Sequence, residues 1–515
     1  MQGVASTTGG LLRGEQTCLG WVFRGIPYAH AGGPDARWRE AAPVPPWKGV
    51  RDAVEWGPIA PQTSPVPGFS LPGDPTRWDE DCLSLNVWTP SLDDARRPVM
   101  VWVHGGGFTT GTGASTLFEG VHLASHGVVV VGLNYRLGAL GLLAHPDLGD
   151  PRAGAWANWA LRDQVAALQW IKDNIASFGG DPDNVTLFGE SAGAMSIADL
   201  LAVPRAAGLF HRVVLQSGPP AAATPGWATS RAECFIEHLG MTHFDVAELR
   251  RTPAVQLVSA TQRLAAEVPG EGELPVPLLP VVDGDFLPLF PGDAVIDGEA
   301  APVPLLVGTT RDESALFTVS DWTNPGLDMD GVIRRVSRFV QREAAQAVVE
   351  GYHDARVARG EAASPHNVWT AITTDFVFRL PLLSLLLAHR KFQSKVYSYL
   401  FTWESPFMGG AFGSCHGLEI PFDFGTVDNP AIQVFTGNGP RVSTLSDAMQ
   451  HAWVAFARGD DPSCDEVGAW LPYDPVRRST MVFGPETGLE DDPRGAERSI
   501  WDEAGVTVPI GHNHL

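Results

Sequence analysis

The sequence predicts an α/β fold, a mostly parallel central sheet covered by helices, and two observations carry that expectation. Six short runs rich in Val, Ile and Leu, at 99–103, 128–133, 185–188, 213–216, 304–308 and 396–401, stand apart from longer segments of helical period, as expected of strands buried on both faces. Between two of them Leu161, Val165, Leu168 and Ile175 fall near one helical face, and Gly179-Gly180-Asp181-Pro182 marks the stop. Strand alternating with helix implies parallel strands joined by crossovers.

The flanking regions read differently. The first 95 or so residues are rich in Pro, Gly and Trp, with short extended pieces at 20–23 and 83–88, and predict antiparallel edge strands joined by long loops. Residues 320–375 hold helical pieces around 332–349 but no buried strand, and predict a helical insertion covering the sheet. No repeat or flexible linker divides the chain, so 1–515 is expected to form a single domain carrying that insertion.

Composition narrows the function. The chain has 515 residues, 44% hydrophobic and 18% charged, which excludes disordered and fibrous classes. Thirty-six basic residues stand against 59 acidic ones, a net charge of −23 with no basic stripe, so a nucleic-acid backbone would be repelled. The five cysteines, Cys18, Cys82, Cys234, Cys415 and Cys464, are scattered and lack CxxC spacing, pointing to reduced thiols rather than a disulfide framework or a zinc site. The first ten residues lack the basic start and apolar stretch of a secretion signal, as would those of a mature chain already stripped of one. The richest apolar stretch, 380–388, is interrupted by Pro381 and Ser384 and is about half the length that spans a bilayer. A cytoplasmic protein without membrane partners is the expectation.

Chemistry is concentrated in two glycine motifs. Gly189-Glu190-Ser191-Ala192-Gly193 follows the run 185–188 and leads into an apolar segment with helical character. This is the G-x-S-x-G elbow, a turn too tight for a Cβ at either glycine, which lifts the serine Oγ clear of the sheet above a helix N-terminus. Strand before and helix after argue against a chance turn. Upstream, His104-Gly105-Gly106-Gly107-Phe108 closes the run 99–103. Successive glycines there let backbone N–H groups converge on an oxyanion. A phosphate cradle is the competing reading, kept in view by Thr110-Gly111-Thr112-Gly113, but no Gly-Lys-Ser/Thr follows and no GxGxxG opens a helix.

These motifs, with Phe23-Arg24-Gly25-Ile26-Pro27-Tyr28-Ala29, Glu80-Asp81-Cys82-Leu83-Ser84-Leu85-Asn86-Val87, Asn134-Tyr135-Arg136-Leu137-Gly138 and the segment 158–183, resemble the type-B carboxylesterases, the α/β-hydrolase group that includes cholinesterases and bacterial p-nitrobenzyl esterases. The resemblance covers most of the first 220 residues and, more thinly, 310–317, 375–381 and 416–422. It implies an α/β-hydrolase fold and a serine esterase.

An elbow serine needs a base oriented by an acid, in the chain order Ser, acid, His. Asp312 and Glu313 follow the run 304–308, and an acidic pair opening a helix could equally be capping it. The resemblance selects Glu313 through the pattern Asp312-Glu313-Ser314-Ala315-Leu316-Phe317, leaving capping to Asp312; Ser314 stands where many relatives have Gly. His416, in Gly413-Ser414-Cys415-His416-Gly417, lies in a loop after 396–401, taken as the last large strand, and matches the family's His-Gly. His451 lies in a helical run, and His512 and His514 in a terminal tail.

The expected assembly is then Ser191, Glu313 and His416 as a triad, with the N–H groups of Gly106, Gly107 and Ala192 as oxyanion hole. Ser217 resembles a family serine beside the triad, and Phe108, Phe317, Phe376 and Phe378 are candidates to line an acyl or alcohol pocket, although such aromatics are commonly core. Cys415 beside His416 is read as an inert thiol. Cys82 matches a cysteine that is disulfide-bonded in secreted relatives, while 57–62, where its partner would fall, holds none. Trp78 lies where cholinesterases carry a cation-binding tryptophan, on a loop that reads shorter here. No metal or organic cofactor is expected, and the partner is a small-molecule ester. Carbamate, amide or lactone hydrolysis by the same triad is the near alternative. A non-catalytic binding module is the distant one, disfavoured because every triad and glycine-loop residue is retained.

Overall fold

The computed structural model describes residues 3–63, 71–149, 155–267, 276–318 and 326–510, so His512 and His514 lie outside the described residues. Among the described residues fourteen strands form two sheets. In chain order they are β1 (Val4–Thr7), β2 (Gly10–Arg13), β3 (Glu15–Thr17), β4 (Gly20–Pro27), β5 (Val50–Asp52), β6 (Ser84–Thr89), β7 (Arg97–Val103), β8 (Val129–Leu133), β9 (Gly180–Glu190), β10 (Arg212–Gln216), β11 (Leu305–Thr310), β12 (Val396–Phe401), β13 (Ser479–Phe483) and β14 (Gly488–Asp491). A small sheet has the order β1-β2-β5; the large one runs β14-β13-β12-β11-β10-β9-β7-β8-β6-β4-β3. From β8 to β13 every pairing is parallel, whereas β3, β4 and β6 pair antiparallel at the N-terminal edge and β14 does so at the other.

The apolar runs become strands because both faces of each are covered. Val99, Val101 and Val103 of β7 and Val129, Val131 and Leu133 of β8 enter one core, together with Leu161, Leu168 and Ile171 of the helix Trp159–Asn174 and Leu382, Leu385 and Leu386 of the helix Leu380–His389. Met100, Trp102 and Val130 face the other way, onto Val442, Met449 and Trp453 of the helix Pro440–Gly459. Alternate side chains of one strand therefore feed opposite cores, as the pleat requires.

One expectation is corrected. β12 is not the last strand: β13 and β14 extend the sheet beyond it. Ser479-Thr480-Met481-Val482-Phe483 is wholly buried, but only its last three residues are apolar, too short a run to stand out. The segment from 326 onward is helical (Met329–Val336, Arg342–Ala358, Pro365–Thr374), and its core also takes in Trp501 from the C-terminal helix Gly495–Glu503. The third helix continues without a break as Pro365–His389, running from that helical segment onto the sheet. Among the described residues it is the one helix long and apolar enough to cross a membrane, and most of its apolar stretch is buried inside the protein.

Buried ion pairs tie loops to this frame. Arg136 binds Asp163 through its backbone N–H at 3.1 Å and through Nε and Nη2 at 2.7 Å each, fixing the loop after β8 to the helix Trp159–Asn174. Asp199, in the helix that follows the elbow, has no such cation among the described residues. Its Oδ1 accepts from the Ala221 N–H at 3.1 Å, Oδ2 has no partner, and burial holds its carboxyl well above the usual range, the one hydrogen bond opposing. The unfolded chain releases this proton near pH 4, while the folded one keeps it, so Asp199 costs stability progressively as pH rises above that value. Asp199→Asn keeps an acceptor for Ala221 and cannot ionise. Its urea midpoint should therefore fall less than wild type's between pH 5.5 and 8; parallel declines would show that Asp199 does not control that slope.

Candidate active site

Because the strands from β8 to β13 are parallel, the segments that leave the carboxyl ends of β7, β9, β10, β11 and β12 gather at one edge of the sheet. β9 ends in the elbow. Ser191 adopts φ 55° and ψ −127°, a conformation costly for a residue with a Cβ, and holds it because its N–H donates to Gln216 O at 2.9 Å and its carbonyl accepts from Met195 N at 2.8 Å. The glycines are required by close approach: a Cβ on Gly193 would lie 2.0 Å from Val103 O, and one on Gly189 2.6 Å from the same atom.

β7 delivers the glycine loop beside this turn. A Cβ on Gly105 would come within 3.1 Å of Ser191 Cβ. Gly106, at φ 106°, turns the chain so that its carbonyl accepts from the N–H groups of Thr109 and Thr110 at 3.1 and 3.0 Å. The N–H groups of Gly106, Gly107 and Ala192 donate to no acceptor among the described residues, leaving them free for a ligand. Gln62 clamps the far end of the loop, donating to Gly111 O and accepting from Gly111 N, both at 2.8 Å. His104 stacks on Tyr135 with ring centroids 4.5 Å apart, and its Nδ1 lies 2.8 Å from Gly105 O. Burial pulls its pKa down to about 4, so it is a neutral structural ring.

β11 and β12 bring the acid and the histidine together. Glu313, fully buried, accepts at Oε1 from Thr310 N (2.7 Å) and Ser217 Oγ (2.5 Å), while Oε2 lies 2.6 Å from His416 Nδ1. Asp312 does not cap the following helix with its side chain; it accepts from Ser414 N at 3.0 Å and pairs with Arg311. That contact fixes the loop carrying His416. Phe317 and Phe378 pack on the His416 ring, with centroids 5.3 and 5.0 Å away.

The serine hydroxyl makes no hydrogen bond to His416 in this arrangement. Nε2 instead lies 3.0 Å from Glu190 Oε1, outside hydrogen-bonding alignment. Burial opposes the imidazolium, but Glu190 and Glu313 together outweigh it and hold the His416 pKa well above the usual histidine value. Glu419 lies buried beside them with neither carboxylate oxygen partnered; burial first, then Glu190, Glu313 and Asp423, keep it protonated well above the usual range. Glu190 went unnoticed in the sequence as the variable position of the elbow. The signal was its place, since the last residue of a parallel strand opens onto the same edge as the serine.

The remaining candidates divide. Phe108 is packed in the main core, 1% exposed, as is Cys82 at 0%. Trp78 is exposed, on a stretch bridged to Ile59. His451 sits in the helix Pro440–Gly459 and pairs with Glu466 at 2.7 Å. A cleft of about 50 Å³ lined by Gln62, Thr109, Leu137, Leu140 and Leu257 adjoins the glycine loop.

The sequence profile of the carboxylesterase family matches residues 2–501. The chain belongs to that family. This carboxylesterase is 37% identical to a phenmedipham hydrolase of Pseudarthrobacter oxydans over 497 residues, covering 94% of the chain and 95% of that protein. It is 36% identical to a para-nitrobenzyl esterase of Bacillus subtilis, covering 92% and 94%. A crystal structure of a Geobacillus stearothermophilus carboxylesterase superposes with a TM-score of 0.84 at 36% identity, covering 97% of this chain and all of that one. It is therefore a carboxylic-ester hydrolase with the α/β-hydrolase fold.

All five cysteines of this carboxylesterase are free. Cys82 and Cys415 are buried, and burial pushes both thiols far above their usual pKa, whereas Cys18 is exposed. Iodoacetamide at pH 8 should alkylate Cys18 in the native protein and reach Cys82 and Cys415 only after denaturation, as peptide mass mapping would show. Native labelling of Cys415 would contradict its burial.

Proposed function

We propose that this carboxylesterase hydrolyses carboxylic esters of small to medium size through an acyl-enzyme on Ser191, with His416 as base and Glu313 as the acid that orients it. The observation that carries the reading is the chain Ser217–Glu313–His416, three side chains from the ends of three parallel strands held at 2.5 and 2.6 Å beside the elbow. Glu313 accepts from Nδ1–H and so leaves Nε2 as the basic nitrogen. Once substrate enters, Nε2 takes the Ser191 proton as Oγ attacks the carbonyl carbon. The oxyanion is received by the unpaired N–H groups of Gly106, Gly107 and Ala192, each such donor being worth about 3 kcal/mol in the transition state. His416 then protonates the leaving alcohol, and the same base activates water to release the acid. Nothing in this sequence of steps calls for a metal or an organic cofactor. The five free thiols support a reducing compartment, the cytoplasm.

Glu190 sets the resting protonation. Facing Nε2 at 3.0 Å, it favours the imidazolium, which cannot act as base. The proton must leave before Ser191 can be activated.

Two outcomes follow. With p-nitrophenyl butyrate, Ser191→Ala should lower kcat by roughly a million-fold and Glu313→Gln by about ten-thousand-fold, each with an unchanged circular-dichroism spectrum. Near-wild-type turnover in either folded variant removes that residue from the mechanism. Second, the acid limb of kcat/KM should lie above pH 6.5, because both carboxylates raise the His416 pKa, and Glu190→Gln should move it to lower pH by removing one of them. A limb that stays in place in the variant would show that Glu190 does not govern His416 ionisation.

A further inference from the structure

Within the continuous helix Pro365–His389, residues Asp375–Arg379 form a π-helical turn. A π-turn is rare, occurs mostly as a single turn inside an α-helix and is frequent at functional sites. Part of the cause is local: Pro381 has no N–H for the carbonyl of Val377, four residues back, so the α ladder is already broken there. The rest is a buried network. Arg379 donates to Asp375 through Nε at 2.6 Å and Nη2 at 2.7 Å, and to the carbonyls of Pro493 and Arg494 at 3.1 and 3.3 Å. The Tyr352 hydroxyl donates to Asp375 Oδ2 and accepts from Trp501 Nε1 at 2.7 Å. Asp375, Arg379 and Tyr352 are all buried.

The turn separates two phenylalanines. Phe376 packs with Phe339 and Trp501, at 4.9 and 5.5 Å, in the core of the helical segment. Phe378 packs on His416 at 5.0 Å and lies parallel to Phe317, itself 5.3 Å from the same imidazole. Immediately before the turn, Thr374 Oγ1 accepts from the N–H of Ser314, the residue after Glu313, at 3.1 Å. One end of this short segment therefore touches the neighbour of the acid, the other the ring of the base, and its middle is anchored in the helical segment.

We propose that the π-turn 375–379 is a positioning device for His416: Phe378 confines the imidazole on the Glu313 side, and the Tyr352–Asp375–Arg379 network fixes where Phe378 stands. Phe378 is a positioning residue that exchanges no proton. The inference rests on the reading of His416 as the base. An imidazole released from one of its two phenyl neighbours can rotate away from Ser191, and displacements of the order of 1 Å at a reacting group can cost about a hundred-fold in rate.

The test uses the full chain, with active sites counted by the p-nitrophenol burst released by diethyl p-nitrophenyl phosphate. Phe378→Leu keeps an apolar side chain and loses the ring; Tyr352→Phe keeps the buried ring and loses only the hydroxyl that ties Asp375 to Trp501. Per counted site, Phe378→Leu should lose roughly ten-fold or more in kcat with KM within about three-fold of wild type, and Phe378→Tyr should recover most of it. Tyr352→Phe should lose about three-fold in kcat alone, and nothing further in the Phe378→Leu background, because both act through one contact. A wild-type kcat per site in Phe378→Leu, whatever its thermal stability, overturns the proposal. So does a change confined to KM, which would make Phe378 a wall of the substrate pocket. Additive losses in the double variant would separate the network from Phe378. A wild type that releases no burst defeats the reading of Ser191 itself, a failure distinct from all of these.

Discussion

One carbonyl oxygen organises the catalytic edge. Val103 O, at the end of β7, occupies the space that a Cβ on either Gly189 or Gly193 would need, 2.6 and 2.0 Å away. The elbow can form only with glycine on both sides, and only while β7 keeps its place against β9, to which it is paired along 97–103. Since the glycine loop is the direct continuation of β7, the contact that permits the strained turn at Ser191 also sets the distance between the hydroxyl and the free N–H groups. The proposed nucleophile and oxyanion donors are thus coupled through backbone rather than through side chains.

Charge around His416 follows a different rule from charge elsewhere in the core. Arg136 and Asp163, or Arg379 and Asp375, are buried as matched pairs with bidentate contacts, which offsets the cost of removing both ions from water. Near the imidazole, Glu190, Glu313, Glu419 and Asp423 are buried, and His416 is the cation that faces Glu190 and Glu313. Burial keeps Glu419 and Asp423 protonated, which reduces the number of charges the site must hold. What remains is one imidazole between two carboxylates, a setting that favours its cationic form. As the proposed base, His416 gives up some readiness in the resting state. In return its cation, formed whenever Ser191 is deprotonated, is stabilised from both sides.

How far the sequence foretold this depends on whether the information was local. β7, β8, β9, β10, β11 and β12 were legible because burial on both faces writes a short run dense in apolar residues, and the elbow and glycine loop because close backbone approach writes glycine. β13 was missed because Ser479 and Thr480 shorten its run to three residues. His416 was placed by its loop, although the argument that no large strand follows β12 is wrong: β13 pairs with it in parallel. Asp312 was assigned to a cap that it does not make, since its carboxylate is turned to Ser414, 102 residues away, a partner that local spacing cannot indicate. Glu190 and Ser217 are single residues at strand ends whose meaning appears only when the ends are brought to one edge.

The π-turn was invisible for a related reason. Nothing in Asp375-Phe376-Val377-Phe378-Arg379 distinguishes it from an α-helical stretch with an ordinary i,i+4 ion pair, and Pro381 signals only that the ladder is interrupted. Its conformation is set by Tyr352, Trp501 and the carbonyls of Pro493 and Arg494, groups 23 to 126 residues away along the chain. The helical segment and the C-terminal helix thereby gain a reason to be packed together. In the proposed arrangement their shared core supplies the fixed point against which Phe378, and through it the imidazole, is held. A base of the kind proposed for His416, which must be accurate to a fraction of an ångström, is better served by such a cross-braced helix than by its loop alone, whose own tethers include the Ser414 contacts to Asp312 and Phe401 and the bond from Gly413 O to Ser405 N.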